Sequence, residues 1–173
     1  MMCSAWSIFL STHTGRQASQ NNPDAPDIFI IDTTAIILNK DGAPALRLVT
    51  PKMIHYPKND TTRITLPKVT IFKDAQSPWE INAAYAKTTA GINEISFWDN
   101  VNILHAGDKD SPKTAVQTSS LSIFPKQQIA STTEPITLTQ PDVIIHATGF
   151  VANLASGTVK LLSQAHGNYA PTP

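Results

Sequence analysis

Hydrophobic and polar residues alternate with a period of two along most of the chain from residue 27 onward. The same stretch has no sustained period of 3.6, which an amphipathic helix would show. The apolar, β-rich segments are 28–31, 33–38, 46–56, 64–66, 69–71, 79–86, 92–104, 118–124, 136–138, 143–150 and 159–162. Strands at this spacing, with no helices to cross between them, predict antiparallel pairing in a sandwich, jelly roll or barrel.

Turn residues separate these segments. Asp41-Gly42 lies between two β-rich runs and predicts a hairpin, because an Asp-Gly pair tolerates the positive φ that a tight turn requires. We therefore expect positive φ at Gly42 and a loss of stability in Gly42→Val. Further turns are predicted at 88–91 and 106–110.

The alternation also assigns side chains to faces. Two sets share a face: Ile81, Ala83 and Tyr85, and separately Ile95 and Phe97 with Val101 and Ile103 beyond a kink at Asp99–Asn100. Such faces are typical of a sandwich core. They are also typical of a sheet curled around an apolar groove that receives acyl chains.

Two short sequence patterns each occur twice, and these internal echoes indicate that the sheet is built from similar units. Tyr56-Pro57-Lys58 is followed by Pro67, and Phe124-Pro125-Lys126 is followed at the same spacing by Pro135. Ile81-Asn82-Ala83 recurs as Ile145-His146-Ala147. Because proline cannot donate a ladder hydrogen bond, each proline is expected at a strand end or an edge position.

Composition narrows the class of protein. The 173 residues suit one domain, and the 13 basic and 13 acidic side chains give a formal net charge of zero. A chain without net positive charge does not attract a polyanion electrostatically, so a nucleic-acid partner is not expected. The single Cys3 excludes a disulfide framework and a thiolate zinc site.

Candidate catalytic chemistry is sparse. The five histidines are scattered, with none at metal-ligand spacing, and most acidic residues lie at predicted turns. Glu80 and Glu94 would form a glycosidase pair only by accident of folding. The sequence has no glycine-rich phosphate loop and no nucleophile elbow. It therefore predicts a protein that is not an enzyme and carries no cofactor and no metal.

The ends of the chain differ from its middle. Residues 1–10 are apolar but too few to span a bilayer, and we interpret them as the end of an incomplete N-terminal membrane anchor, with Met1 as a late start. Residues 11–26 are polar, contain Pro23 and Pro26, and predict a linker. The folded domain is predicted over 27–166, followed by a flexible tail at 167–173.

Several short motifs occur together in an order that resembles the LptC family of lipopolysaccharide-export bridge proteins. They are Asn39-Lys40-Asp41-Gly42-Ala43-Pro44, Arg47-Leu48, His55-Tyr56-Pro57, Leu66-Pro67 with Val69, Trp79-Glu80-Ile81-Asn82-Ala83, and Val101 after Asp99-Asn100. The resemblance covers about residues 27–169.

The resemblance implies an all-β fold, a twisted two-sheet antiparallel β-jelly roll with an open apolar groove. It implies a periplasmic protein, anchored to the inner membrane by one N-terminal helix, that accepts lipopolysaccharide from the ABC exporter of LptB, LptF and LptG and passes it to LptA. The residues expected to line the groove are Ile64, Ile81, Ala83, Phe97 and Leu161.

The first and last strands are expected to leave unpaired edges for partners. The resemblance implies that the exporter docks on the first strand, through Ile30, Thr33 and Ile36. It implies that LptA docks on the last strand, through Val159, Lys160 and Leu162.

Other interpretations remain open at this point. The chain could be an LptA-like soluble bridge subunit, because LptA and LptC share this architecture. It could also be a solid-core β scaffold without lipid binding. A carbohydrate-active enzyme is disfavoured by the sparse catalytic chemistry.

Overall fold

A computed structural model describes residues 24–72, 77–89, 93–109, 111–154 and 156–169. Strands rich in threonine and in β-branched and aromatic residues, which suit a pleated surface, make up most of this part. They are β1 (Ile28–Leu38), β2 (Pro44–Tyr56), β3 (Thr61–Thr65), β4 (Lys68–Ile71), β5 (Trp79–Asn82), β6 (Tyr85–Thr88), β7 (Ile95–His105), β8 (Thr114–Phe124), β9 (Ile129–Gln140), β10 (Val143–Asn153) and β11 (Thr158–Tyr169).

All of these strands belong to one antiparallel sheet in which neighbours in sequence are neighbours in space. The short strands β3 and β4 lie end to end beside β2, and β5 and β6 lie end to end beside β7. Since β3 pairs with β6 and β4 with β5, each end-to-end pair acts as one long strand. The described strands are therefore an up-and-down meander of nine long strands.

Most of the long strands are irregular near their middle, and the irregular positions form a line across the sheet. At this kink line the backbone takes positive φ at Asp32 in β1, Leu66 between β3 and β4, Asp99 and Asn100 in β7, Gly149 in β10 and Gln164 in β11. Register shifts mark the same level in β7, β8, β10 and β11. Such irregularities bend a strand and increase its twist, so the sheet folds over on itself.

The kink line divides the sheet into two layers. Half-sheet A holds the β1–β2 turn, β4, β5 and the segments 101–105, 114–118, 135–140, 143–148 and 165–169. Half-sheet B holds the β2–β3 turn, β6 and the segments 95–98, 120–124, 129–133, 150–153 and 158–163. Buried side chains from both half-sheets form one core cluster. The predicted twisted, two-layer antiparallel β-jelly roll is confirmed, and its two layers are continuous through the bent strands.

The first hairpin has the predicted glycine conformation within a longer turn. Gly42 has φ +79°, whereas Asp41 is not among the residues with positive φ. The Asn39 side chain accepts hydrogen bonds from the backbone N–H groups of Asp41 and Ala43, at 3.0 and 2.9 Å. The turn is thus held by an asparagine side chain as well as by the Asp-Gly pair.

The bends explain where the predicted faces are right and where they fail. Phe97, Val101 and Ile103 are all buried, as predicted across the kink at Asp99–Asn100. Tyr85 was placed on the face of Ile81, and this is wrong: Tyr85 is exposed and stacks on Trp98 with ring centres 5.9 Å apart. The break between β5 and β6 resets the alternation, so that Ala86 is buried instead.

The internal echoes correspond to repeated positions in the meander. Pro57 and Pro125 each open a hairpin turn, after β2 and after β8. Pro67 and Pro135 both lie at the kink line, beside Leu66 and opposite Thr148. The aromatic-Pro-Lys sequence therefore marks a hairpin, and the second proline marks the following bend.

The C-terminal boundary differs from the prediction. The sequence predicts a flexible tail over 167–173, but β11 continues to Tyr169, which pairs with Val143. Pairing with β10 supplies the order that the weak apolar pattern of this segment did not indicate. The predicted anchor, residues 1–10, lies outside the described residues, and no helix in the described part could span a bilayer.

Candidate functional site

An unbroken row of apolar residues crosses the inner face of half-sheet A from the first strand to the last. Directly paired residues on neighbouring strands have their side chains on the same face. The register places the following residues opposite one another in order: Ala35, Leu48, Val69, Ile81, Ile103, Val116, Leu138, Ile145 and Gly167. We call this set the apolar row; it contains no polar and no charged side chain.

A second row lies on the inner face of half-sheet B and meets the first across the core. Its members, again opposite one another in register, are Ile30, Met53, Ile64, Ala86, Phe97 and Leu121. Phe97 and Leu121 are each 1% exposed and are among the largest fully buried side chains of the described part. The two rows face each other because the strands fold over at the kink line.

The five residues predicted to line an apolar groove lie together on these inner faces. Ile64, Ile81, Ala83 and Phe97 belong to the buried core cluster, and Leu161 packs against it while remaining half-buried. The alternation that grouped them is therefore correct for their orientation. Their role in holding a ligand remains a prediction.

The packing of the apolar row loosens towards both ends of the sheet. Ile81, in the middle, is 3% exposed, whereas Ala35 and Ile145 near the ends are half-buried. Beside Ile145 the two half-sheets part and leave a cleft of about 310 Å³. The cleft is lined by Val143, Ile145, Leu161, Ala165, His166, Gly167, Asn168 and Tyr169. The apolar interior thus has an opening beside β11.

The two terminal strands each pair on one side within the described sheet. β1 pairs with β2, and β11 pairs with β10. All of the predicted edge residues lie on these strands: Ile30, Thr33 and Ile36 on β1, and Val159, Lys160 and Leu162 on β11. Five of the six are exposed, and Thr33 is half-buried.

The two edges differ in their side chains. β1 exposes large apolar residues on both faces, at Ile28, Phe29, Ile30, Ile31, Ile36, Ile37 and Leu38. β11 exposes Val159, Leu162 and Tyr169 among polar neighbours such as Lys160. Contiguous apolar surface on an exposed edge strand is characteristic of protein-interaction surfaces, including those that accept an added strand.

A cluster of charges holds the beginning of β1 to the β2–β3 turn. His55 Nδ1 lies 2.6 Å from Asp27 Oδ1 and His55 Nε2 lies 3.0 Å from Asp60 Oδ1. Lys58 Nζ lies 2.6 Å from Asp24 Oδ1. Hydrogen bonds to the carboxylates of Asp60 and Asp27 raise the pKa of His55 above its usual value of 6.5, because they favour the imidazolium. We call these residues the charge clasp.

Acidic and histidine side chains elsewhere make local contacts. Glu80 Oε2 lies 3.4 Å from Lys68 Nζ, while Glu94 accepts hydrogen bonds from Ser96 and Ser122, each at 3.0 Å. The two glutamates therefore have separate partners on different strands. His105 is buried and stacks on Trp79 with ring centres 4.6 Å apart. In the described part, no three His, Cys, Asp or Glu side chains are close enough together to hold a metal ion.

Comparison with known protein families places this geometry in context. The family described as lipopolysaccharide-assembly, LptC-related, matches residues 1–170. The chain belongs to this family. No curated protein matches. Among solved structures, the chain is similar to LptH, the LptA-homologous periplasmic component of the lipopolysaccharide transport device from Pseudomonas aeruginosa. That likeness has 7% sequence identity and a TM-score of 0.46, and covers 86% of this chain and 96% of the other.

For this member of the LptC-related family, sequence reasoning missed the features that depend on strand register. Alternation assigns each side chain to a face, but it does not tell which residues of neighbouring strands lie opposite each other. The apolar row and the pairing of His146 with His166 both arise from register. The Asp27 and Asp60 partners of His55 had a weak signal, since both lie beside predicted strand ends.

Proposed function

We propose that the chain is a periplasmic bridge component that accepts lipopolysaccharide from the inner-membrane Lpt ABC exporter and passes it to LptA. Membership of the LptC-related family supports the general role in lipopolysaccharide assembly. The observation that carries the proposal is the apolar row, which runs without a polar interruption from β1 to β11.

The apolar row has the chemistry that acyl chains require. Burial of apolar surface is favourable by roughly 25 cal/mol per Å², so a methylene-rich chain gains free energy by entering between the half-sheets. The sugars and phosphates of lipopolysaccharide would lose hydration there and would remain outside. The groove residues are Ile64, Ile81, Ala83, Phe97 and Leu161, with Leu161 beside the cleft that opens next to β11.

The row must open for a lipid to enter its middle. Inner side chains such as Ile81 and Phe97 belong to the buried core cluster, to which both half-sheets contribute. The half-buried residues at the ends, Ala35 and Ile145, would meet an acyl chain first. We propose that lipid enters at one end and separates the half-sheets as it moves along the row.

The two edges fit two different partners. The exporter docks on β1 through Ile30, Thr33 and Ile36, and the apolar residues exposed on both faces of this strand would be covered in the complex. LptA docks on β11 through Val159, Lys160 and Leu162. Strand addition at each edge would supply main-chain hydrogen bonds and continue the apolar row into the neighbouring protein.

A transfer assay tests this proposal. The chain is loaded with lipopolysaccharide in detergent-free buffer, and immobilised LptA is then used to capture both the protein and the lipid. Successive backbone N–H groups of a strand point to opposite sides. Of Val159→Pro and Lys160→Pro, one therefore removes an N–H group that faces β10, and the other removes one that faces the open edge. We expect the variant that keeps its melting temperature to lose LptA capture while it retains lipid.

The assay separates the alternatives. Saturable lipid binding with no LptA capture in the wild type would contradict the bridge function. A wild type that binds no lipid would instead indicate the solid-core scaffold, an interpretation that the deep burial of Phe97 and Ile81 favours. Loss of exporter binding in the β11 variants, with a normal melting temperature, would contradict the assignment of the two edges.

A further inference from the structure

We propose that His146 and His166 form a binding site for a divalent transition-metal ion that joins β10 to β11. The two residues are direct partners in the antiparallel ladder, so their side chains lie on the same face of the sheet. Their ring centres are 5.6 Å apart, and the ring planes are tilted by 34°. Both side chains are exposed on the outer face of the sheet.

The hydrogen bonds of the two rings prepare them as ligands. His166 Nδ1 lies 2.9 Å from the backbone oxygen of Gln164, which only accepts, so Nδ1 carries the hydrogen and Nε2 the lone pair. His146 Nδ1 lies 3.2 Å from the hydroxyl oxygen of Thr137. Metal-binding histidines almost always donate their second ring N–H to an oxygen in this way, which fixes the tautomer and the ring orientation.

The spacing of the rings suits one shared ion. With an Nε2–metal bond of about 2.0–2.1 Å, the centre of an imidazole ring lies roughly 3.2 Å from the metal. Two ring centres that are 5.6 Å apart then subtend an angle of about 120° at the ion. This angle lies close to the tetrahedral value, and small rotations of the two exposed side chains would adjust it.

The surroundings leave room for the remaining ligands. Both histidines line an open groove of about 890 Å³ on the outer face, together with polar side chains that include Asn102, Gln117 and Asp99. Lysine and arginine are absent from the described lining of this groove. Water molecules could therefore complete the coordination.

The donor set selects the class of metal. Neutral imidazole nitrogen suits Cu²⁺, Ni²⁺ and Zn²⁺, whereas Mg²⁺ and Ca²⁺ prefer oxygen ligands. The affinity should follow the usual order, with Cu²⁺ bound more tightly than Zn²⁺. A bound ion would join the edge strand β11 to β10 and would stabilise the folded state in proportion to its occupancy.

Metal-free full-length protein, titrated with CuCl₂, ZnCl₂ or MgCl₂, tests the site. We expect one Cu²⁺ per chain bound by two imidazoles, weaker Zn²⁺ binding, no Mg²⁺ binding and a rise in melting temperature with Cu²⁺. His146→Gln and His166→Gln should each weaken Cu²⁺ binding at least tenfold and abolish the rise. The matched control His55→Gln should change neither, since His55 lies in the charge clasp.

A measurement on the wild-type protein tests the metal site independently of whether the variants fold. In NMR spectra, substoichiometric Cu²⁺ should broaden the imidazole signals of His146 and His166 before those of His55 and His105. Unchanged affinity in His166→Gln, or first broadening at His55 or His13, would overturn the site. His146 lies on the face opposite the apolar row and outside the lining of the cleft, so His146→Gln should leave lipid binding intact.

Discussion

The middle and the ends of the sheet use the same apolar row in different ways. In the middle, Ile81 has long strands on both sides and the opposite half-sheet above it, and it is buried. Near the ends, Ala35 and Ile145 have the same kind of side chain and the same inward direction, but they are half-buried. Burial therefore depends on position in the meander and not on residue type.

This difference shows how one pattern would serve both the stability of the fold and the proposed transport of lipid. The middle of the sheet holds the two layers together, because closely packed apolar side chains stabilise the fold. The ends leave apolar surface and backbone hydrogen-bonding groups for other molecules. The proposed transfer of lipid needs both properties, and the described meander supplies them.

The largest expected effect comes from comparing two phenylalanines, one in the middle of the sheet and one on its N-terminal edge strand. Phe97→Ala, in the middle of half-sheet B, should lower the free energy of unfolding by about 3–5 kcal/mol, because it leaves a cavity in the core. Phe29→Ala on β1 is the matched control; it should cost no more than about 1 kcal/mol, since Phe29 is 54% exposed. Urea unfolding followed by circular dichroism measures both. Equal effects would contradict the division between a stabilising middle and an open edge.

The next effect compares a glycine inside the sheet with one in an edge turn. A Cβ at Gly149 would lie 2.8 Å from Leu162 Cδ1 and 3.0 Å from Thr132 O, whereas a Cβ at Gly42 would meet nothing within 4 Å. Both have positive φ, so Gly42→Ala and Gly42→Val should each cost about 1 kcal/mol or somewhat more, from backbone strain alone. Gly149→Ala should cost about 1–3 kcal/mol more, because overpacking is added to that strain.

Melting temperatures of the glycine variants decide this prediction. A smaller loss in Gly149→Ala than in Gly42→Ala would indicate that β10 shifts freely at the kink line. An unchanged melting temperature in Gly42→Val would indicate a tolerant surface turn.

Much of this division was predictable from the sequence. Period-two alternation identified the strands and the inward residues Ile64, Ile81 and Phe97, because alternation determines the face of a side chain. It failed at Tyr85, where the break between β5 and β6 resets the alternation. It could not supply the apolar row, since the pairing of strands is set by tertiary contacts and turn lengths.

The smallest effect concerns the charge clasp at the N-terminal edge. The pKa of His55 is raised in the folded state by Asp60 and Asp27, so the imidazolium stabilises the fold fully below the unfolded value near 6.5. This stabilisation is lost as the pH rises through the raised pKa of His55. The melting temperature of the wild type should therefore fall more between pH 6 and pH 9 than that of His55→Gln. Parallel profiles for the two proteins would contradict the clasp.

Site-specific photo-crosslinking in cells that export lipopolysaccharide tests the central claim most directly. A crosslinking amino acid is placed at Ile81 or Ile103 on the apolar row, and at the adjacent Glu80 or Asn102 on the outer face as matched controls. The account predicts that lipopolysaccharide is captured at Ile81 and Ile103, that Ile145 near β11 also captures it, and that the outer positions do not. Capture at Glu80 and Asn102 without capture at Ile81 would contradict transport along the apolar row.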